Sequence, residues 1–268
     1  MSPEATFKRI VLSALAGLIM STAPCTGAAV DTELVLLVDA QTYSQSDFTL
    51  ILESIAKSFE QQAFQEAVLG GTLGKMAASV ILFNAPGEQV RVPWIQLSST
   101  LDLNNFAQSV RSISYPNAGG NISYSSAINT AASQLASNQF QGSTRQITLI
   151  DDATGFWAAD PAGTLAARNA ALATSADVIN AIVFDAQYSE SAVNSFYGNN
   201  VVSPGTGNLA VVSTPQGGNK SLAQIQSVIT SVVGTVSQPT VVATASVPES
   251  SSLILLGLGS FVAFRRRR

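Results

Sequence analysis

Apolar residues follow two rhythms along this chain. Short, nearly continuous apolar runs occupy residues 33–39, 77–83, 146–150, 178–184 and 209–212. Runs of that length and density read as strands buried on both faces of a sheet. Between them, apolar side chains recur at spacings of three and four. Phe48, Leu52, Ile55, Phe59 and Ala63 predict a helix over 46–68, closed by Gly70 and Gly71. Further helices are predicted over 101–112, 124–139, 161–174, 189–197 and 222–233, with Pro161 well placed in its helix's first turn. Residues 89–96 read as one more strand. Pro93 confines it to a sheet edge, and the short link 84–88 makes it antiparallel to the strand before it. Strands alternating with helices imply an α/β fold: an open, mostly parallel six-stranded sheet with one antiparallel edge strand and helices on both faces.

The two ends of the chain break this rhythm. Lys8 and Arg9 precede an apolar run over 10–20, and small residues follow through Ala28 and Ala29. That layout predicts a secretory signal peptide over 1–29, cleaved near Ala28 or Ala29. At the other end, a Val/Thr/Ser-rich spacer over 234–246 leads into Pro248-Glu249-Ser250, an apolar stretch, and Arg265, Arg266, Arg267 and Arg268. The 15 residues 250–264 would span about 22 Å as a helix, short of a bilayer core of about 30 Å. The arginines would stay in the cytoplasm, leaving the rest of the chain outside. This tail resembles the PEP-CTERM sorting signal, with Ser250 where a second proline usually stands. The resemblance implies transient membrane insertion of 247–268 and processing by an exosortase-type membrane protease. It also implies an inner-membrane-anchored precursor whose product reaches the cell surface or the extracellular matrix.

Composition narrows the chemistry. About 215 residues remain between the signals, enough for one domain with a substantial core. Residues 30–264 carry 16 acidic and 7 basic side chains, a net charge of −9, which disfavours nucleic acid as a partner. The chain has no histidine, so Ser-His-Asp and Cys-His catalysis and histidine metal sites are excluded. Its single cysteine, Cys25, falls within the signal peptide, leaving no thiol to staple the mature domain.

The element order resembles the von Willebrand factor A domain. More specifically, residues 30–233 resemble an uncharacterised family of secreted bacterial proteins with that fold. The matching stretches are 30–39 (VDTELVLLVD), 90–94 (VRVPW) and 196–205 (FYGNNVVSPG). The resemblance implies a metal-ion-dependent adhesion site at the carboxyl edge of the sheet. In such a site an Asp-x-Ser-x-Ser loop, a Thr and a further Asp supply hard oxygen ligands, suited to Mg²⁺ or another divalent cation. Here Asp39 stands in the first position, but Gln41 and Tyr43 replace the serines; Thr42 and Ser44 are each one residue out of register. Asn121 or Ser123 stands in for the Thr, and Asp151 or Asp152 for the last Asp. Two readings follow. Either Asp39, Gln41, Asn121, Asp151 and Asp152 form a remodelled cation site, or the site has decayed and these residues cap strand and helix ends. The lost serines weigh toward decay. Asp47 also reads as a first-turn acid placed to suit its helix dipole.

Tyr43 and Trp157 would lie on the same ligand face; Trp94, Trp157, Tyr115 and Tyr124 could form an aromatic sugar-binding surface, but core or loop packing is the weightier reading of these rings. The leading expectation is a non-enzymatic binding module engaging an extracellular protein or polysaccharide, with no certain cofactor. The alternatives are a secreted polysaccharide hydrolase using Asp39 and Asp152 as its carboxylate pair, and a structural matrix protein without a specific ligand.

Overall fold

The chain builds its sheet around its first strand. β1 (Ala28–Asp39) pairs in parallel with β2 (Met76–Phe83) on one side and with β4 (Phe140–Asp151) on the other. β3 (Gln89–Leu97) runs antiparallel to β2 at one edge, and β5 (Val178–Asp185) and β6 (Leu209–Ser213) extend the sheet beyond β4. The order is β3-β2-β1-β4-β5-β6. Pro93 sits on the edge strand, where its missing N–H breaks no ladder.

The computed structural model describes residues 27–41, 44–83, 87–116, 123–153, 156, 159–185, 189–213 and 222–234, all within one compact unit. The predicted signal peptide and sorting tail lie outside the described residues, apart from 27–29. Among the described residues no helix is long and apolar enough to cross a membrane.

Seven helices cover the sheet among the described residues. α1 (Gln45–Glu60), α2 (Gln62–Leu69), α3 (Thr100–Arg111) and α7 (Leu222–Gly234) cover one face; α4 (Tyr124–Ser137), α5 (Pro161–Thr174) and α6 (Glu190–Asn200) cover the other. The period of two along β1 distributes its side chains between them. Leu34, Leu36 and Val38 enter the first layer, whereas Val35 and Leu37 enter the second. All five are fully buried, which explains why this strand reads as an unbroken apolar run.

Two departures from the sequence reading have local causes. The helix expected over 46–68 is two helices, because Gln61 adopts an extended conformation (φ −67°, ψ 129°). β1 and β4 also extend past their apolar runs toward their amino ends, where Ala28 pairs with Phe140 and Ala29 with Gln141. Cleavage after Ala28 or Ala29 would therefore trim the first rungs of β1 and leave its buried part intact.

Candidate functional site

β1 and β4 are neighbours in the sheet, and the chain leaves them in opposite directions. The crevice between their carboxyl ends is thus the topological switch point at which open α/β sheets usually bind ligands. Register fills that crevice with acid. Val38 pairs with Ile150, so Asp39 and Asp151 stand side by side one rung further on. Asp39 shares the parity of Val35 and Leu37, and Asp151 that of Ile147 and Leu149. Both carboxylates therefore point toward the layer of α4 and α6. Asp152 follows directly. All three residues are fully buried, and one carboxylate oxygen from each lies within 4.8 Å of the others.

Three acids this close, removed from water, repel one another. Asp39 shows the effect: burial pushes its carboxyl well above the usual carboxylate range, and the charges of Asp151 and Asp152 push it further. Against them stand an N–H bond from Gln41 to Asp39 Oδ1 (2.9 Å) and a set of donors converging on Asp151. The phenols of Tyr124 and Tyr197 each donate to Asp151 Oδ2 at 2.6 Å, and the N–H of Ala153 donates to Oδ1 at 3.0 Å. The two hydroxyls lie 3.0 Å apart. Burial, and next the charge of Asp151, raise both phenols well above their ordinary range, so they remain protonated donors at neutral pH. Ala153 takes a left-handed conformation (φ 59°), rare for a residue with a side chain, in the turn that carries Asp151 and Asp152.

The helix-capping residues sort themselves from the ligand candidates. Ser44 caps α1, accepting the N–H of Asp47 at 3.1 Å and donating to its carboxylate at 2.7 Å. Ser123 caps α4, accepting the N–H of Ser126 at 3.2 Å. Asp47 is the first-turn acid of α1. Gln41 lies beside Asp39 and is half-buried. Thr42, Tyr43, Asn121 and Trp157 lie outside the described residues.

Sequence reasoning missed the two phenols. Tyr124 takes the core packing that outweighed a sugar-binding role: it is 1% exposed and in edge-to-face contact with Tyr197 at 5.9 Å. Trp94 packs on Phe140 and Tyr115 on Phe48, in opposite layers, so these three aromatics form no common face. The available signal was that Tyr197, four residues after the buried Val193 on α6, carries a hydroxyl into the core and must find a partner there. The motif containing Tyr197 is anchored from outside the site. Arg168 Nη1 donates to the carbonyls of Asn199 (2.7 Å) and Val202 (3.1 Å), and Ser203 Oγ accepts the N–H of Ile179 at 2.6 Å.

A family model described as "Protein of unknown function (DUF1194)" matches residues 29–222. The chain belongs to that family. No curated protein matches the sequence. Solved structures with the same fold include a von Willebrand factor type A protein from Catenulispora acidiphila, at 10% identity and a TM-score of 0.50, over 78% of this chain and 43% of that one. The pilus adhesin SpaC from Lactobacillus rhamnosus GG aligns at 9% identity and a TM-score of 0.53, over 78% and 31%. Proximal thread matrix protein 1 from the mussel byssus, with a zinc-occupied MIDAS motif, aligns at 12% and 0.50, over 80% and 46%. This chain spans less than half the length of each, and at such identities the likeness shows the von Willebrand A-type fold.

The donor set can be tested against the divalent cation that this fold implies. Two oxygens bound to one ion at about 2.1–2.4 Å lie no more than about 4.8 Å apart. The three carboxylate oxygens meet that limit, and all are hard donors. A divalent charge among them would also reverse the repulsion that raises Asp39. The residues present fit such an ion.

Proposed function

We propose that this family member is an exported, non-enzymatic binding module of the cell surface or extracellular matrix, built on a remodelled divalent-cation site. The observation that carries the reading is the meeting of Asp39, Asp151 and Asp152 at the switch point, with their oxygens within 4.8 Å of one another. Asp39, Asp151 and Asp152 would hold the ion, and Gln41 and Asn121 are candidate amide ligands. When bound, the ion would offer a Lewis-acidic position to a carboxylate or hydroxyl of a partner. The neighbouring adhesin and the byssal matrix protein, whose MIDAS motif binds zinc, support an adhesive or matrix role.

The rest of the proposal follows from the chain ends. Residues 1–29 direct export, and 247–268 insert transiently and are processed by an exosortase-type protease. Recovery of a surface form that still carries residues 247–268 would refute that processing.

The binding site is tested by thermal unfolding of the full-length protein, wild type and Asp39→Asn, in chelator and in millimolar Mg²⁺, Mn²⁺ or Ca²⁺. An ion at 100 times its Kd adds about 2.7 kcal/mol, a rise of a few degrees. The rise is expected in the wild type and not in the variant. No response of the wild type to any ion would sink the proposal.

A further inference from the structure

Resting on that cation site, we infer that Tyr124 and Tyr197 are positioning residues that hold Asp151 to a single ligand oxygen, and so tune the site toward a small octahedral ion such as Mg²⁺ or Mn²⁺ over Ca²⁺. The geometry at Asp151 is asymmetric. Oδ2 takes both phenols at 2.6 Å, and a carboxylate oxygen has two lone pairs. Each phenol has one proton. Its stronger use is a charge-assisted bond to the carboxylate rather than the 3.0 Å contact with the other hydroxyl. Oδ2 is thereby saturated. Oδ1 accepts the Ala153 N–H at 3.0 Å, which uses one of its two lone pairs, and Asp151 also shares a side-chain hydrogen bond with Asp39 inside the acidic cluster, the contact that an ion would replace.

The arrangement is that of a carboxylate ligand one of whose oxygens is fixed by buried donors, the kind of support that orients ligands around metals. It is rigid for stated reasons. Both tyrosines are fully buried, they touch edge to face, and they arrive from different helices, α4 and α6. Ca²⁺ favours six to eight oxygens and readily takes a carboxylate through both of its own, whereas Mg²⁺ takes six at shorter range and one oxygen per carboxylate. Locking Oδ2 removes the bidentate option at Asp151.

The test is the dissociation constants of Mn²⁺ and Ca²⁺ for the full-length protein, measured by titration calorimetry, in wild type, Tyr124→Phe and Tyr197→Phe. Each single variant keeps one phenol and nearly the same volume, and its ion-free thermal midpoint reports any folding defect separately. Outer-shell losses at metal sites weaken affinity about 10- to 100-fold. We expect each variant to lose about tenfold for Mn²⁺ and distinctly less for Ca²⁺, so that the preference ratio narrows. Unchanged affinities, or equal losses for both ions, would overturn the clamp while leaving the cation site standing. A wild type that takes up neither ion would fail before any variant is compared, and would remove the cation site and the clamp together.

Discussion

β1 carries a buried acid at each end of its core run, and the two live in opposite surroundings. At the amino end, Glu33 is 1% exposed and fully satisfied: Asn138 Nδ2 donates to Oε2 at 2.6 Å and the N–H of Gly142 to Oε1 at 2.5 Å. Gly142 is required there, since a Cβ would meet Glu33 atoms at 2.9 Å. At the carboxyl end, Asp39 is equally buried but faces Asp151 and Asp152. One acid is a latch tying β1 to the end of α4 and the start of β4; the other belongs to a cluster that works against the fold until something positive joins it. An open cleft of about 480 Å³ also lies at the amino end, bordered by Glu33, Phe140, Arg145, Thr174 and Asp177. Its charged groups are already committed, Glu33 to the latch and Arg145 to Asp177 at 3.2 Å. Burial of an acid is therefore no guide to function by itself; what surrounds the acid decides.

The sharpest break of this contrast is to remove each acid in turn. Glu33→Ala strands the Asn138 amide and the Gly142 N–H, and should cost about 3 kcal/mol in urea unfolding, with or without Mn²⁺. Asp152→Asn should lose the ion-dependent gain, about 2.7 kcal/mol at 100 times Kd, yet leave the ion-free protein as stable as wild type or more so, because it relieves repulsion. A large loss of ion-free stability in Asp152→Asn would erase the distinction between the two ends.

pH should separate them next. Asp39 has a folded pKa raised above its unfolded value, so the folded state holds the extra proton. Its contribution to stability is complete below the unfolded value of about 3.9 and is lost as pH climbs through the raised one. The ion-free thermal midpoint of the wild type should therefore fall as pH rises above the unfolded value and through the raised one, and Asp39→Asn should flatten that slope. Ion affinity should run the opposite way, since the cation displaces the proton. The smallest effect concerns Ser44: as a helix cap rather than a ligand, its change to Ala should cost about 1 kcal/mol and leave the ion response untouched.

Most of the fold was legible because strands buried on both faces leave unmistakable apolar runs, and because Pro161 marks the start of its helix. The break at Gln61 was not, since glutamine is no helix breaker and only the extended backbone there reveals it. The three acids were visible at strand ends, and the fold brings both Asp151 and Asp152 to Asp39. The phenols were hidden by distance along the chain: Tyr124 and Tyr197 come 27 residues before and 46 after Asp151, on helices that only packing brings together.

The central position of β1 has a temporal consequence. It is made first, yet its partner β4 comes more than a hundred residues later, as in the pairing of Val35 with Ile147. No local hairpin can complete the middle of this sheet. The most apolar segment of the domain stays without its inner neighbour until most of the chain exists, and closing so long a loop makes folding slow. Its aggregation hazard is concentrated in residues 33–39 during the wait.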